Sequence, residues 1–305
     1  QGVKAMCVAL GMSRQNYYRQ RERRQRRDLQ EEAVLAWTRE ERQVQPKLGA
    51  RKLLHRMKEQ HCAFVPGRDR YLALLKKKDM LVSYEKSAPK TTNSYHRLPV
   101  FTNRLKRTEV TGPNQAWVCD LTYIRTRTDF AYLFLVSDRY SRKIVGHHLS
   151  SKMESADALK ALEKAVRDLP ADRRPLHHSD RGCQYCSHEY VGALRRRGLE
   201  VSMTEDNHCY ENAHAERVNG ILKREYALGQ VLPSLEAARK TADQAVELYN
   251  TRRPHWSLNL GYPAIIHEEG LENFSSPCRG MKGPAEAGHL SNKTTNNPCQ
   301  LLIRT

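Results

Sequence analysis

The sequence predicts an α/β protein, a mixed five-stranded sheet layered with helices, preceded by an all-α region that is strongly basic. Three observations predict it. The basic surplus sits in the first 110 residues, which carry 26 Lys+Arg against 11 Asp+Glu, while residues 111–305 carry 26 against 23. Near residue 115 the apolar pattern changes from helical spacing to short strand-like runs. Three of those runs are joined by short turns, and the other two alternate with helices, as in layered domains that mix antiparallel and parallel pairing.

The 305 residues are enough for two domains with separate cores, and 28% charged with 39% apolar residues is a globular composition. The longest apolar stretches, such as Tyr132 to Val136, are far too short to span a bilayer, so no membrane partner is expected. Gln1-Gly2-Val3-Lys4 carries neither an apolar signal core nor an initiating Met. The expectation is a start further upstream, or a segment of a longer product. A net charge of +18 points to a polyanion, DNA or RNA, because each neutralised phosphate releases counterions. The bland alternative is a basic surface kept for solubility. Eight scattered cysteines do not form a disulfide framework, so reduced thiols are expected. Cys183-Gln-Tyr-Cys186, near His177, His178 and His188, is the one spacing that suggests zinc. A second ligand pair is supplied only poorly by His208-Cys209, so zinc is not expected.

Residues 4–24 read as helix, tight turn, helix, with Gly11 in the turn and Ser13 capping the second helix. That helix presents Arg14, Gln15 and Tyr18 as candidate DNA contacts. The basic run at residues 21–27 leads into a helical segment around Glu31–Arg42. A second pair of short helices opens at Gly49 and at Gly67 and offers Arg51, Lys52, Arg68 and Arg70 as further contacts; all these assignments rest on helix position alone. Breakers accumulate from Ser87 to Asn114 and read as a linker. The division expected is therefore 1–45 and 46–86 for two helix-turn-helix segments, 87–114 for the linker, 115–270 for the sheet domain, and 271–305 for a Gly-, Pro- and Asn-rich disordered tail.

Within the sheet domain, strands are expected at Ala116–Ile124, Phe130–Ser137, Lys143–Leu149, Leu176–Ser179 and Leu199–Met203. Helices are expected over Leu159–Leu169, from Ser187 to Gly198, near Ala213–Leu228 and near Leu235–Asn250. Asp120 lies inside an apolar strand, where a carboxylate is costly unless something pairs with it. Asp180 ends another strand, where α/β folds place ligand groups. Glu216 is on a helix with Lys223 seven residues on, so the two share a face. Each acid alone has a bland reading as a turn or solvated residue. Together they offer an oxygen-rich cage suited to Mg²⁺ or Mn²⁺, and two such ions serve in-line phosphoryl displacement. Lys223 could then contact a phosphate, and Asn212, one turn before Glu216, could touch substrate or support the site.

Residues 115–265 resemble the retroviral-integrase-type core of bacterial insertion-sequence transposases, in the group that joins two overlapping frames by frameshifting. That family separates the second Asp from the Glu by 35 residues, and 216 − 180 − 1 is 35. Trp117-Val118-Cys119-Asp120-Leu121-Thr122-Tyr123, Tyr140-Ser141-Arg142-Lys143-Ile144-Val145-Gly146, His178-Ser179-Asp180-Arg181-Gly182 and Tyr249-Asn250-Thr251-Arg252-Arg253-Pro254-His255 match its motifs, and Lys223 falls on its Lys/Arg position. With the amino-terminal segments, the resemblance covers about 270 residues.

The resemblance implies a ribonuclease-H-like core, Asp120, Asp180 and Glu216 as ligands of two divalent ions, and cleavage and strand transfer at the element's terminal inverted repeats. It implies a branched, then circular, intermediate, target DNA as second substrate, a multimer on DNA, the upstream-frame protein as partner, and a place with the bacterial nucleoid in the cytoplasm. Tyr210-Glu211-Asn212 stands where many relatives have Tyr-Asp-Asn. Two rival functions fit the same features. A DNA-binding regulator would bind ends without cutting them, and a ribonuclease-H-like nuclease would degrade hybrids without joining strands.

Overall fold

The computed structural model describes residues 2–83, 98–205 and 212–275. The chain forms two compact units, and no helix among the described residues is long and apolar enough to cross a membrane.

The first unit is all helix, with α1 (Val3–Ala9), α2 (Arg14–Val44), α3 (Ala50–Glu59) and α4 (Arg68–Lys77). Ser13 caps α2 as expected, its hydroxyl accepting from the Asn16 amide at 3.1 Å. The basic run at 21–27 is exposed and belongs to α2, which continues unbroken for 31 residues. Arg, Gln and Glu are good helix formers and neither Gly nor Pro interrupts them, so no joint forms between the two segments read from sequence. The second half of α2 buries Val34, Leu35 and Trp37 against Leu53, Met57, Tyr71 and Leu75. Thr38 and Tyr71 share a 2.9 Å hydroxyl contact within this core. Arg56 and Glu41 pair there at 2.9 Å.

The second unit is built on a sheet of β1 (Ala116–Arg125), β2 (Phe130–Asp138), β3 (Ile144–Ser150), β4 (Leu176–Ser179) and β5 (Val201–Met203). The spatial order is β3-β2-β1-β4-β5. β1, β2 and β3 are an antiparallel meander, and β4 and β5 add in parallel. The expected mixed sheet is thus present, each strand within two residues of its expected bounds.

Alternation along β1 sends Trp117 and Cys119 to one face, where α5 (Ser155–Arg167), α6 (Cys183–Cys186) and α7 (His188–Arg196) pack. Ile124 goes to the other face, against α8 (Ala213–Glu225) and α9 (Leu235–Thr251). Each leucine or isoleucine removed from water in these two layers contributes roughly 1.5–3 kcal/mol. Helix α5 approaches β3 so closely that a β-carbon on Gly146 would lie 2.2 Å from the Ala161 carbonyl oxygen. Gly146→Ala is therefore expected to cost about 1–3 kcal/mol, as overpacking does. Urea unfolding should show a lower midpoint at unchanged slope.

Two expectations change. Residues 98–114 are docked rather than a free connector. Leu98 and Phe101 pack on the core, and the Asn103 and Arg104 amides donate to Glu205 Oε1 at 3.3 Å and Ser202 Oγ at 3.0 Å. The breakers there shape turns, while Phe101 supplies an apolar anchor. Helix α10 (Pro263–Ser275) runs through the boundary expected at residue 270. Residues 84–97, and the tail beyond Ser275, lie outside the described residues.

Candidate active site

Parallel pairing of β1 with β4 matches Val118 to His178. Asp120 lies two residues beyond Val118 and Asp180 two beyond His178, near enough for Asp180 to act on Asp120, and α8 reaches Asp120 through Asn219. Glu216 is in the first turn of α8 and exposed, while Asp120, Asp180 and Lys223 are partly exposed, so the site opens to solvent on one side. Asp120 accepts from the Leu121 amide at 2.8 Å and from Asn219 Nδ2 at 2.7 Å. Asp180 Oδ1 accepts from the Gly182 amide at 3.0 Å. A β-carbon on Gly182 would sit 2.6 Å from Gln184 Nε2, so a side chain there would require the Gln184 amide to shift.

The electrostatics show that the acids feel one another. Desolvation in the sheet, then Asp180 beside it, push the Asp120 carboxyl up to about 8; Leu121 and Asn219 oppose the rise and Glu216 adds to it. Burial lowers the Lys223 ammonium, and Asp120 partly restores it. The four side chains named from sequence therefore share one site. They do not close into a cage: among the described residues, no group of three or more His, Cys, Asp or Glu is placed to hold a metal ion. The donor set nonetheless fits a hard divalent cation, because three carboxylates repel one another and offer only oxygen.

Asn212 precedes α8 and its Nδ2 donates to the Cys119 carbonyl at 3.3 Å, bracing β1 one residue before Asp120. Asn219 is the residue that sequence reasoning missed. It follows Glu216 by three and precedes Lys223 by four, so positions 212, 216, 219 and 223 form one helical stripe, the signal that could have found it.

Among the described residues, Cys183 and Cys186 are not gathered with other His, Cys, Asp or Glu side chains into a metal-holding group. Cys183 and Cys186 lie in one helical turn, the first exposed and the second buried, and both are free thiols. Cys186 contacts Met203 Sδ at 3.6 Å, and burial pushes its thiol up to about 11. Burial, then neighbouring His178, push His177 down to about 3; its Nε2 meets the Tyr190 hydroxyl at 2.9 Å. Residues 206–211, with His208, Cys209, Tyr210 and Glu211, lie outside the described residues.

In the helical unit, Arg14, Gln15, Tyr18 and Arg51 are exposed. Arg68 is exposed and bonded to Asp69 at 2.8 Å, and Arg70 pairs with Glu31 at 3.1 Å. Lys52 is a correction. It is only 7% exposed, between Leu53 and the rest of the buried face of α3, so it is not offered to a DNA backbone.

Two models described as integrase core domain match residues 110–209 and 197–263. The chain is 33% identical over 268 residues to an uncharacterised 31 kDa protein of insertion element IS600 from Shigella sonnei. That match covers 87% of this chain and 98% of the relative. It is 31% identical over 263 residues to the transposase InsF for insertion sequence IS3A of Escherichia coli, covering 83% and 89%. Among solved structures, the HTLV-2 integrase catalytic core in complex with magnesium is similar at 20% identity and TM-score 0.42, covering 52% of this chain and 99% of that one. Identity above 30% over more than four-fifths of the chain, with two integrase-core matches across the acid-bearing sheet, places the chain in the family of integrase-core transposases of IS3-type bacterial insertion sequences.

Proposed function

We propose that Asp120, Asp180 and Glu216 hold two Mg²⁺ ions, replaceable by Mn²⁺, and that the chain cuts and joins DNA at the ends of its own insertion sequence. As a member of its family it is a transposase of the acidic-triad class, acting on DNA by metal-dependent cleavage and strand transfer. The observation that supports the residue assignment is the mutual effect of the acids. Asp180 and Glu216 both raise the Asp120 carboxyl, a cost that makes sense where cations are to be held. Bound there, the ions would activate the attacking oxygen and stabilise the leaving one.

Asn219, bonded to Asp120, would fix the orientation of that carboxylate. Lys223 would meet a phosphate at the edge of the site. In the first step water attacks the phosphodiester at the element end, a P–O bond forms, and the P–O3′ bond breaks. The proton given up by the water leaves with the new 3′-hydroxyl. In the second step that hydroxyl attacks a target phosphodiester and releases a target 3′-hydroxyl, so the number of diester bonds is unchanged and no nucleotide cofactor is needed.

Arg14, Gln15, Tyr18, Arg51, Arg68 and Arg70 would grip terminal-repeat DNA. Two ends must be held at once, which calls for a multimer on DNA, and the upstream-frame product would supply further end recognition. Such work belongs beside the bacterial chromosome, in the cytoplasm.

The test uses labelled duplexes carrying the element's ends, with Mg²⁺ or Mn²⁺, and compares this chain and the fused two-frame product with their Glu216→Gln variants. Cleavage and joining by the fused wild type should fall at least a thousandfold in Glu216→Gln, with end binding retained. Binding without any strand chemistry from either wild-type form would favour a DNA-binding regulator instead.

A further inference from the structure

Next to the carboxylates is a cleft of about 610 Å³ that the acid triad leaves unused. Val118 forms part of its wall, two residues or about 6.6 Å along β1 from Asp120. Arg139 and Arg142 enter from the β2–β3 turn, His214 and Arg217 from the first turn of α8, and Tyr249 from α9. Trp256, half exposed, also lines the cleft from the segment that follows α9.

Three guanidiniums thus converge on one space. Among the described residues, none of the three has a carboxylate partner within salt-bridge distance. The nearby acid, Asp138, is fully buried and already accepts from the Asn114 amide at 2.8 Å and from the Ser141 amide and hydroxyl, each at 2.7 Å. Burial, then Arg139, depress the Arg142 pKa; Tyr249 and Asp138 oppose this, and Arg217 adds to it. Arg139 and Arg217 therefore both lie close enough to Arg142 to repel its charge.

The local backbone is also held at a cost. Arg142 has φ +65°, a left-handed conformation that non-glycine residues adopt rarely. The turn that imposes it is fixed by Asp138, whose carbonyl accepts from the Arg142 amide at 3.0 Å. Arg142 touches His214 Nδ1 through Nη1, yet its Nε is buried with no partner, and so is the hydroxyl of Tyr249, a residue with 0% exposure. Buried donors without acceptors are destabilising. These two donors belong to residues that line the cleft with the other guanidiniums, a setting that suits a ligand rich in anionic oxygens.

We propose that this cleft is a phosphate subsite, in which Arg139, Arg142, Arg217 and the Tyr249 hydroxyl hold one backbone phosphate of the DNA strand next to the carboxylates. The assignment of the anion to DNA rests on the strand-transfer reading; the anion chemistry does not. Holding a neighbouring phosphate would fix the strand's register so that the diester to be cut lies over the acids.

The test measures binding of the full chain to duplex carrying the element's own end, with uncharged methylphosphonates placed singly along each strand. In the wild type, one position near the cleavage point should lose about tenfold in affinity when neutralised. In Arg217→Gln that same replacement should cost less than twofold, and the slope of log K against log salt should become shallower by about one. Arg217 is exposed, so this variant should melt with the wild type. Tyr249→Phe removes a single unpartnered hydroxyl, should fold as the wild type does, and should weaken binding severalfold on unmodified DNA only. An unchanged salt slope in Arg217→Gln, with the methylphosphonate profile also unchanged in both variants, would overturn the subsite. If the wild type shows the profile but cuts nothing with Mg²⁺ or Mn²⁺, the strand-transfer reading fails and the subsite stands. If it cuts with a profile indifferent to Arg217, the reverse holds.

Discussion

Replacing Asp120 with Asn is expected to stabilise the ion-free protein while abolishing its strand chemistry. The Asp120 carboxyl titrates near 8 in the fold and near 3.9 in an unfolded chain. Between those values the folded state carries a proton that the unfolded state has lost, so stability falls as pH rises. The contribution is fully present below about pH 4 and gone above about pH 8. A rise of about four units corresponds to roughly 5 kcal/mol. Solvent reaching this partly exposed side chain screens that to about 2 kcal/mol. At 2–4 °C per kcal/mol for a domain of this size, ion-free wild type should melt about 4–8 °C lower at pH 8.5 than at pH 5 through this group alone. Asp120→Asn should flatten that part of the profile, since the amide keeps the shape without the charge. Mn²⁺ should raise the wild-type melting temperature at pH 8 and leave the variant where it is. A variant less stable than wild type at pH 8 without metal would mean that the acids do not crowd one another as described.

The second large effect is at the far side of α8. Arg253 donates to Glu225 through Nε and Nη2, both at 2.8 Å, with both side chains buried. This fork ties the end of α8 to the segment after α9, so Glu225 and Arg253 together position His255 and Trp256 at the cleft. Arg253→Met leaves a buried carboxylate with its partner gone, which costs about 3–5 kcal/mol. Arg253→Met/Glu225→Leu should recover most of that loss, because removing both charges also removes the desolvation penalty. Urea midpoints of the two single variants and the double variant measure the coupling. Additive losses would show that the pair does not act as a unit.

The sheet and the acids were legible because their signals are local. Alternation fixes strand faces, the turns between Ile124 and Phe130 and between Asp138 and Ile144 are short, and a carboxylate inside Trp117–Tyr123 stands out against its apolar neighbours. The 35-residue gap between Asp180 and Glu216 then tied two elements together. Asn219 was not legible, since an amide on a helix looks the same whether it faces water or, as here, Asp120. The burial of Lys52 is hidden from sequence for a related reason. A basic residue beside a leucine stripe is usually solvated, and only the packing of α3 shows that its stem lies inside.

The Arg139, Arg142 and Arg217 cluster depends on one turn and a helix start meeting in space, which no spacing rule encodes. The same holds for the buried group of Asp138, Ser141 and His267, where the Ser141 hydroxyl meets His267 Nδ1 at 2.9 Å across 126 residues of chain. The stretch before Asn114 read as a linker because Pro and Gly mark both flexible and tightly turned backbone. What separates the two cases is the set of bonds from Asn103 and Arg104 to the β5 end of the sheet.

The most direct test of the acid site is a calorimetric Mn²⁺ titration at pH 7, run in two buffers of different ionisation heat, on wild type, Asp120→Asn, Asp180→Asn and Glu216→Gln. The predicted result is wild-type binding that releases about one proton, because the raised Asp120 carboxyl must ionise to take the metal. Binding should be weakened in all three variants, and the proton release should be absent in Asp120→Asn. Mn²⁺ binding that is equally tight in all four proteins, with no proton released, would contradict the site.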